Sequence, residues 1–355
     1  MTTKRVLQVV QHLQPGGIET MALDLMERAG ADREVHILSL EGQAEDVIAA
    51  WPRLAGVTDR LHFLDKRPGL DQRAVFRLVS LLRELSIDII HTHHVGPLIY
   101  GGIAARLLGT RVVHTEHDAW HLSEARRCHI QSLLHNVVKP IFVADANLVA
   151  RAVKAAIPTI KPIVIHNGVD TKKFIPGDEV SARRRLGLPI DARIIGCAAR
   201  LESVKNHDLL FRALSLLPKD IHLALAGDGS LFQDLITLAG NLGIATRVHF
   251  LGSIDDMVSF HQAQDVFCLA SEKEGLPLSP LEAQAVGCPV VLTDVGGCSE
   301  AACPDTGYLV PPGSEGQLAH NLAIALDTAN HVDPRAFVLT HRNLETTIQA
   351  YEALH

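Results

Sequence analysis

Two glutamates eight positions apart, Glu274 and Glu282, lie in the stretch SEKEGLPLSPLEAQAVGCPVV (residues 271–291), with no charge between them. Carboxylates so placed can exchange protons, hold ligand hydroxyls or open a helix. Ser279-Pro280-Leu281-Glu282 reads as a helix start. Ser279 is expected as N-cap, Pro280 as the first helical residue and Glu282 as the third, closing a capping box. Gly287 and Pro289 then end that helix. Glu274 stands mid-loop beside Gly275 and Pro277. It has no local structural duty visible in the sequence, so it reads as a solvated loop residue or a ligand contact.

Other loops offer complementary groups. AARLESVKNHDLL (198–210) carries Arg200 at a strand end and Lys205 just before a helix. An arginine fork and a lysine point charge can clamp a diphosphate, though a solvated charged loop is the commoner use. QHLQPGGIETMALDL (11–25) turns at Gly16-Gly17 and opens a helix near Ile18, where Glu19 suits the positive end. Such a turn suits close approach of phosphate. It matches neither Walker A nor G-x-G-x-x-G, and a plain βα turn explains it as well. Gly227-Asp228-Gly229 is a second close-approach turn. HTHH (91–94) and HTEHD (114–118) fall at strand ends. Their spacing matches no zinc motif, so histidines facing sugar hydroxyls or moving protons fit better, with His117 foremost. D-x-D is absent, the nearest variant being Asp32-Arg33-Glu34. No metal site and no cofactor are therefore expected.

The elements that position these loops alternate apolar strand-like runs with helix-period segments, an α/β pattern with parallel sheets. The first half has RVLQVV, REVHILSL, LHFL, DIIHTH, RVVHTEH, NLVAR (147–151, a strand end) and KPIVIHNG. Helices are expected between them, as at 73–85 and 97–108. The second half has RIIGCAAR, IHLALAGDG, RVHFLG, DVFCLA, PVVLTD and TGYLVPP. A chain of 355 residues suits two domains. The expected division is 1–166 and 167–339, with the tail FVLTHRNLETTIQAYEALH (337–355) as one amphipathic helix packing back on the first domain from about residue 340. Two doubly wound domains would turn their carboxyl strand ends to a shared cleft, where ligands bind.

Composition limits the function further. Hydrophobic residues make up 47% and charged residues 21%, with net charge -7, which argues against general nucleic-acid binding. The charge divides as +1 over residues 1–170 and -8 over 171–355, and 12 of the 20 histidines fall in the first part. The N-terminus reads as a first strand rather than a signal peptide, and no apolar run reaches membrane-spanning length. Six scattered cysteines without C-x-x-C suit a reducing compartment, so a cytoplasmic protein is expected. Arg126, Arg127, His129, His135 and Lys139 stand among apolar residues in 121–143. That segment could rest on an anionic inner-membrane surface, or simply be a solvated helix face.

Taken together, the E-x7-E stretch from Glu274 to Glu282 resembles the signature of retaining glycosyltransferases of the GT4 family. The match continues in order through Gly16-Gly17, HTH (91–93), TEHD (115–118), IHNGVD (165–170), Arg200 with Lys205, GDG (227–229), FLGSIDD (250–256) and TDVGGCSE (293–300). It covers nearly the whole chain. IHNG and Asn206 depart mildly from the family pattern and remove no charge. The resemblance implies the GT-B fold: two Rossmann-like parallel-sheet domains facing a central cleft. It implies transfer from a nucleotide-diphosphate sugar, a UDP-sugar first among them, to a saccharide or lipid-linked acceptor in bacterial polysaccharide or lipopolysaccharide synthesis. Arg200 and Lys205 would neutralise the diphosphate, Glu274 would contact the sugar, and Glu282 would bind the ribose. Backbone amides of Gly275, Leu276 and Leu278 would face sugar or phosphate, and Gly16, Gly17 and Gly227 would line the donor. Ser253 and Ile254 would border the base, with His117 near the sugar. Two readings compete: a GT-B sugar-nucleotide epimerase, marked by an altered sugar released without acceptor, and a nucleotide-sugar binder without turnover. A dehydrogenase is disfavoured, because no G-x-G-x-x-G follows the first strand.

Overall fold

The structure is a computed structural model describing residues 3–67, 69–328 and 333–355. It divides into two compact units, Met1–His166 with Thr347–His355, and Asn167–Thr346. Each holds one parallel sheet. The first contains β1 (Lys4–Val10), β2 (Arg33–Ser39), β3 (Leu61–Phe63), β4 (Ile89–His93), β5 (Arg111–Glu116), β6 (Ile141–Ala144) and β7 (Ile163–Val164). Their spatial order is β3-β2-β1-β4-β5-β6-β7. The second contains β8 (Arg193–Ala198), β9 (Ile221–Ala226), β10 (Val248–Gly252), β11 (Val266–Leu269), β12 (Val290–Thr293) and β13 (Tyr308–Val310), in the order β10-β9-β8-β11-β12-β13.

Strands covered on both faces read as continuous apolar runs, which is why these were legible. In the first unit Leu7, Val9, Leu38 and Ile90 pack with Leu78, Leu82 and Leu98. In the second, Ile194, Ala224 and Ala226 pack with Ala182, Leu188 and Phe260. Each large side chain so buried adds about 1.5–3 kcal/mol. Local chemistry sets the helix ends. Asp71 Oδ1 accepts from Arg73 N at 3.0 Å and starts the helix Gln72–Glu84. Asp178 caps Glu179–Leu186, which ends on Gly187 at φ +66°.

Both sheets reverse their winding beside the first strand, between β1 and β4 in one unit and between β8 and β11 in the other. Loops at such reversal points are where α/β proteins bind ligands. Gly16-Gly17 follow β1. Arg200 and Lys205 follow β8, and Glu274 follows β11.

Two expectations are corrected. Residues 147–151 begin the helix Asn147–Ala156 rather than ending a strand, with Val149 and Val153 inward at helical spacing. The adjacent strand is β6, which sits at the end of the segment 121–143; the rest of that segment is a short turn and the helix Ala125–Val138. The tail is two helices, Arg335–His341 and Leu344–Leu354. They are parted at Arg342-Asn343 because that backbone bonds Val169 instead: Val169 N donates to Arg342 O at 2.8 Å, and Leu344 N donates to Val169 O at 3.0 Å. Among the described residues, no helix is long and apolar enough to cross a membrane.

Candidate active site

The loop after β8 is pinned from two sides. Leu201 N donates to Asp228 O at 2.9 Å, joining it to the turn after β9. That turn needs its glycines: Gly227 has φ +143°, and a Cβ there would fall 2.1 Å from Ala199 O. On the other side Glu272 N donates to Val204 O at 2.9 Å, joining the loop after β11. Just outside these anchors Arg200 is exposed, and Lys205 closes a short 3-10 turn. The next residue, Asn206, is left-handed at φ +50°, and its Oδ1 accepts from Leu209 N to start the helix His207–Ser215. Asparagine tolerates that conformation, which explains how it replaces the family's usual glycine.

Lys205 Nζ donates to Glu274 Oε1 at 2.6 Å, and Ser271 Oγ donates to the same oxygen at 2.6 Å. Glu274 is 8% exposed. The reading of a solvated glutamate without structural duty is therefore corrected. A carboxylate this buried needs its ammonium and hydroxyl donors to offset desolvation. The surrounding loop is equally held. Thr293 Oγ1 donates to Ser271 O at 2.6 Å, and Asn167 Nδ2 to Leu276 O at 3.0 Å. Gly297 N donates to Gly275 O at 2.7 Å. Gly296, at φ +51°, approaches so closely that a Cβ would lie 1.8 Å from Glu274 O. Asn167, Ser271, Gly296 and Gly297 were missed as site supports. All four stood inside recognised segments, but contacts between loops distant in sequence leave no periodic signal.

Glu282 lies in the helix Ser279–Ala285, whose cap is Leu278 with no side-chain bond. Ser279 is already helical, so the expected capping box does not form. The Glu282 carboxylate turns instead to His261, Nε2 to Oε2 at 3.2 Å. An imidazole donor in a buried setting gives a charge-assisted bond. Leu278, Gly275 and Leu276 line the loop between the two glutamates, with Leu276 buried. Ser253 and Ile254 follow β10, where Gly252 O accepts from Gly227 N at 2.8 Å. The second unit thus gathers Arg200, Lys205, Gly227, Ser253, Ile254, Glu274 and Glu282 on neighbouring carboxyl strand ends.

Gly16, Gly17 and His117 belong to the first unit. The helix there opens at Gly17, and His12 Nδ1 lies 3.5 Å from Glu19 Oε1. His117 is 6% exposed rather than open to solvent. Its Nε2 is 3.0 Å from His93 Nδ1, and its Nδ1 is 3.4 Å from Asp145 Oδ2. His93 Nε2 in turn donates to Gln8 Oε1 at 2.7 Å. Burial, with His94 nearby, pushes His117 down to about 3 and keeps it neutral. Beside it, burial alone would raise the Glu116 carboxyl, but bonds from His114 and His94 hold it well below the usual range. His121 shows the reverse: burial opposes its charge, yet the bond to Asp118 and the Glu116 charge lift it to about 9. Among the described residues, no group of three or more His, Cys, Asp or Glu is arranged to hold a metal ion.

Known proteins resemble the chain in sequence and in fold. The Glycosyltransferase Family 4 model matches residues 15–173, and the Glycosyl transferases group 1 model matches 178–334. The chain is 30% identical over 344 residues to D-inositol 3-phosphate glycosyltransferase of Mycolicibacterium vanbaalenii, covering 86% of this chain and 76% of that one. It is 41% identical over 165 residues to the same-named protein of Mycolicibacterium gilvum, a match spanning 44% of this chain and 35% of that one. Anabaena Alr3699/HepE, solved in complex with UDP-glucose, superposes with a TM-score of 0.85 at 24% identity over 99% of both chains. A glycosyltransferase from Rickettsia africae gives 0.82 at 19% identity, over 100% of this chain and 98% of that one. The fold is GT-B, and the chain belongs to the GT4-type glycosyltransferases.

Proposed function

We propose that this enzyme moves a glycosyl group from a nucleotide-diphosphate sugar to an acceptor hydroxyl with retention of configuration. The observation that carries the reading is the Lys205–Glu274 pair, its carboxylate buried, at the reversal point of the second sheet, with Arg200 on the same loop. The sugar C1–O bond to the diphosphate breaks as the acceptor oxygen bonds C1 from the same face. The acceptor proton passes to a diphosphate oxygen. Negative charge grows on the leaving diphosphate, so fixed cations lower the barrier more than they tighten binding. Arg200 and Lys205 supply that charge without a divalent ion. Glu274 orients Lys205 and contacts the sugar. Glu282 holds the ribose hydroxyls, Ser253 and Ile254 flank the base, and the Gly275, Leu276 and Leu278 amides face the phosphates and sugar. Gly16, Gly17, Gly227 and His117 are assigned as further donor contacts.

The UDP-glucose complex of HepE supports a UDP-sugar as donor. The relatives named for inositol 3-phosphate make a cyclitol phosphate an acceptor to set beside saccharides and lipid-linked sugars. A cytoplasmic protein whose exposed Arg126, Arg127, Leu133 and Val137 touch the inner membrane suits a lipid-linked acceptor. Thermal melting against UDP-, GDP- and ADP-sugars tests the donor. A ligand at a hundred times its Kd adds about 2.7 kcal/mol, so one nucleotide class should raise the midpoint and Glu282→Ala should abolish the rise. Absence of a shift with every class would overturn the reading.

A further inference from the structure

Behind Glu282 runs a line of buried polar groups that no part of the proposed mechanism uses. His261 ends one turn short of β11 and is 1% exposed. Three aromatic rings enclose it, Phe174, Phe260 and Phe267, with centroids 5.9, 5.3 and 5.7 Å away. Two polar contacts break this apolar enclosure. Gln264 Nε2 donates to His261 Nδ1 at 2.7 Å, and His261 Nε2 faces Glu282 Oε2 at 3.2 Å. Gln264 itself has room only because β8 carries glycine opposite it: a Cβ on Gly196 would fall 1.5 Å from Gln264 Oε1.

The protons of this array follow from its donors. An amide N–H at Nδ1 requires the Nδ1 lone pair, which leaves the ring proton on Nε2, aimed at the carboxylate. The opposite amide orientation would set an Nε2 lone pair against a carboxylate oxygen. A polar chain buried among aromatics is costly unless each member has a partner, and here the chain ends on the Glu282 carboxylate, whose side chain is 14% exposed. One Glu282 oxygen is thereby tied from behind, which fixes the direction of the other.

We infer that His261, itself oriented by Gln264, is a positioning residue that sets the Glu282 carboxylate for a vicinal diol, and so makes the site select ribonucleotide over 2′-deoxyribonucleotide donors. This rests on the ribose role proposed for Glu282. A rigid carboxylate can take two neighbouring hydroxyls together, whereas a freely turning one takes a single hydroxyl nearly as well. Loss of the 2′-hydroxyl is then felt fully only when the carboxylate is held, since a site built for a polar group discriminates by what it leaves unpaired.

The test is the ratio of kcat/KM for the ribo-donor to that for its 2′-deoxy analogue, in wild type, Glu282→Gln, His261→Phe and the double variant. Glu282→Gln should bring the ratio close to one. His261→Phe should lose most of the preference, raising KM for the ribo-donor about tenfold, the equivalent of one lost hydrogen bond to a charged group, with kcat changed much less. The double variant should be no worse than Glu282→Gln alone. His261→Gln, which keeps an N–H near Nε2, should retain more preference than His261→Phe. If His261→Phe does not fold, Gln264→Met breaks the Nδ1 bond alone and should also lower the ratio. A ratio that survives His261→Phe and Gln264→Met but collapses in Glu282→Gln overturns the positioning role. A ratio that survives Glu282→Gln removes the ribose reading, and this inference with it.

Discussion

At the scale of single residues, neither glutamate keeps the local duty that the sequence suggested. Glu282 reads as a helix cap and Glu274 as a loop residue, yet Glu274 is a buried carboxylate tied to the Lys205 ammonium, and Glu282 turns to His261. Removing either partner of such a pair strands the other charge, at a cost of about 3 kcal/mol. Glu274→Ala and Lys205→Ala should each lower the free energy of unfolding measured in urea by that order. The double variant should lose clearly less than their sum; additive losses would show that the contact carries no coupling. Residue types at the site were legible because charges and glycines fall at successive strand ends in the order of a known family, not because any one of them is unusual. Their partners were not. Ser271, Asn167 and His261 are ordinary polar residues whose meaning lies in which distant loop they touch.

Elements carry the next set of constraints. The loop after β11 is shaped by the glycines after β12, so their effect should reach Glu274 through the backbone. Gly296→Ala places a Cβ against Glu274 O and should cost activity and stability together. Gly313 is also left-handed, at φ +79°, but has open space around it. Gly313→Ala should cost only about 1–2 kcal/mol of backbone strain and leave turnover intact. Equal activity loss in both would contradict the close-contact account. The terminal helix Leu344–Leu354 makes a different point. Tyr351 is fully buried in the first unit, its hydroxyl 3.1 Å from Thr115 Oγ1 and its ring 4.9 Å from His91. Tyr351→Ala should cost about 3–5 kcal/mol in chemical denaturation. The helix itself was legible from its period. Its break at Arg342-Asn343 was not, because the competing partner, Val169, lies far back in the chain.

Over the whole molecule, histidines set the dependence of stability on pH. His117 is held at about 3, His207 at about 4 and His355 at about 4, chiefly by burial. Unfolding returns each to the ordinary value near 6.5, so the unfolded chain binds protons first as pH falls. Stability should drop between about pH 6.5 and 4, each group adding up to about 1.4 kcal/mol per pH unit. His121, raised to about 9, has the opposite sign. Its contribution is present below pH 6.5 and lost as pH rises through 9, and His121→Gln should flatten that alkaline arm. Denaturation midpoints across pH 4–9 should therefore peak near 6.5; a flat profile would contradict the buried, neutral state of these rings. Two parallel sheets could be read from alternation, since their strands are covered on both faces, except at β6, whose place the reading gave to residues 147–151. Which histidines stay neutral could not, since that depends on burial and on partners drawn from four strands. The account as a whole stands on charge delivered to a departing diphosphate by the loop after β8. The most direct test is the steady-state rate of nucleoside-diphosphate release from the donor that the melting panel identifies, compared among wild type, Arg200→Ala and Lys205→Ala. Loss of one preorganised positive group should lower kcat by about a hundredfold or more in each variant. Turnover unchanged by both substitutions would contradict the account.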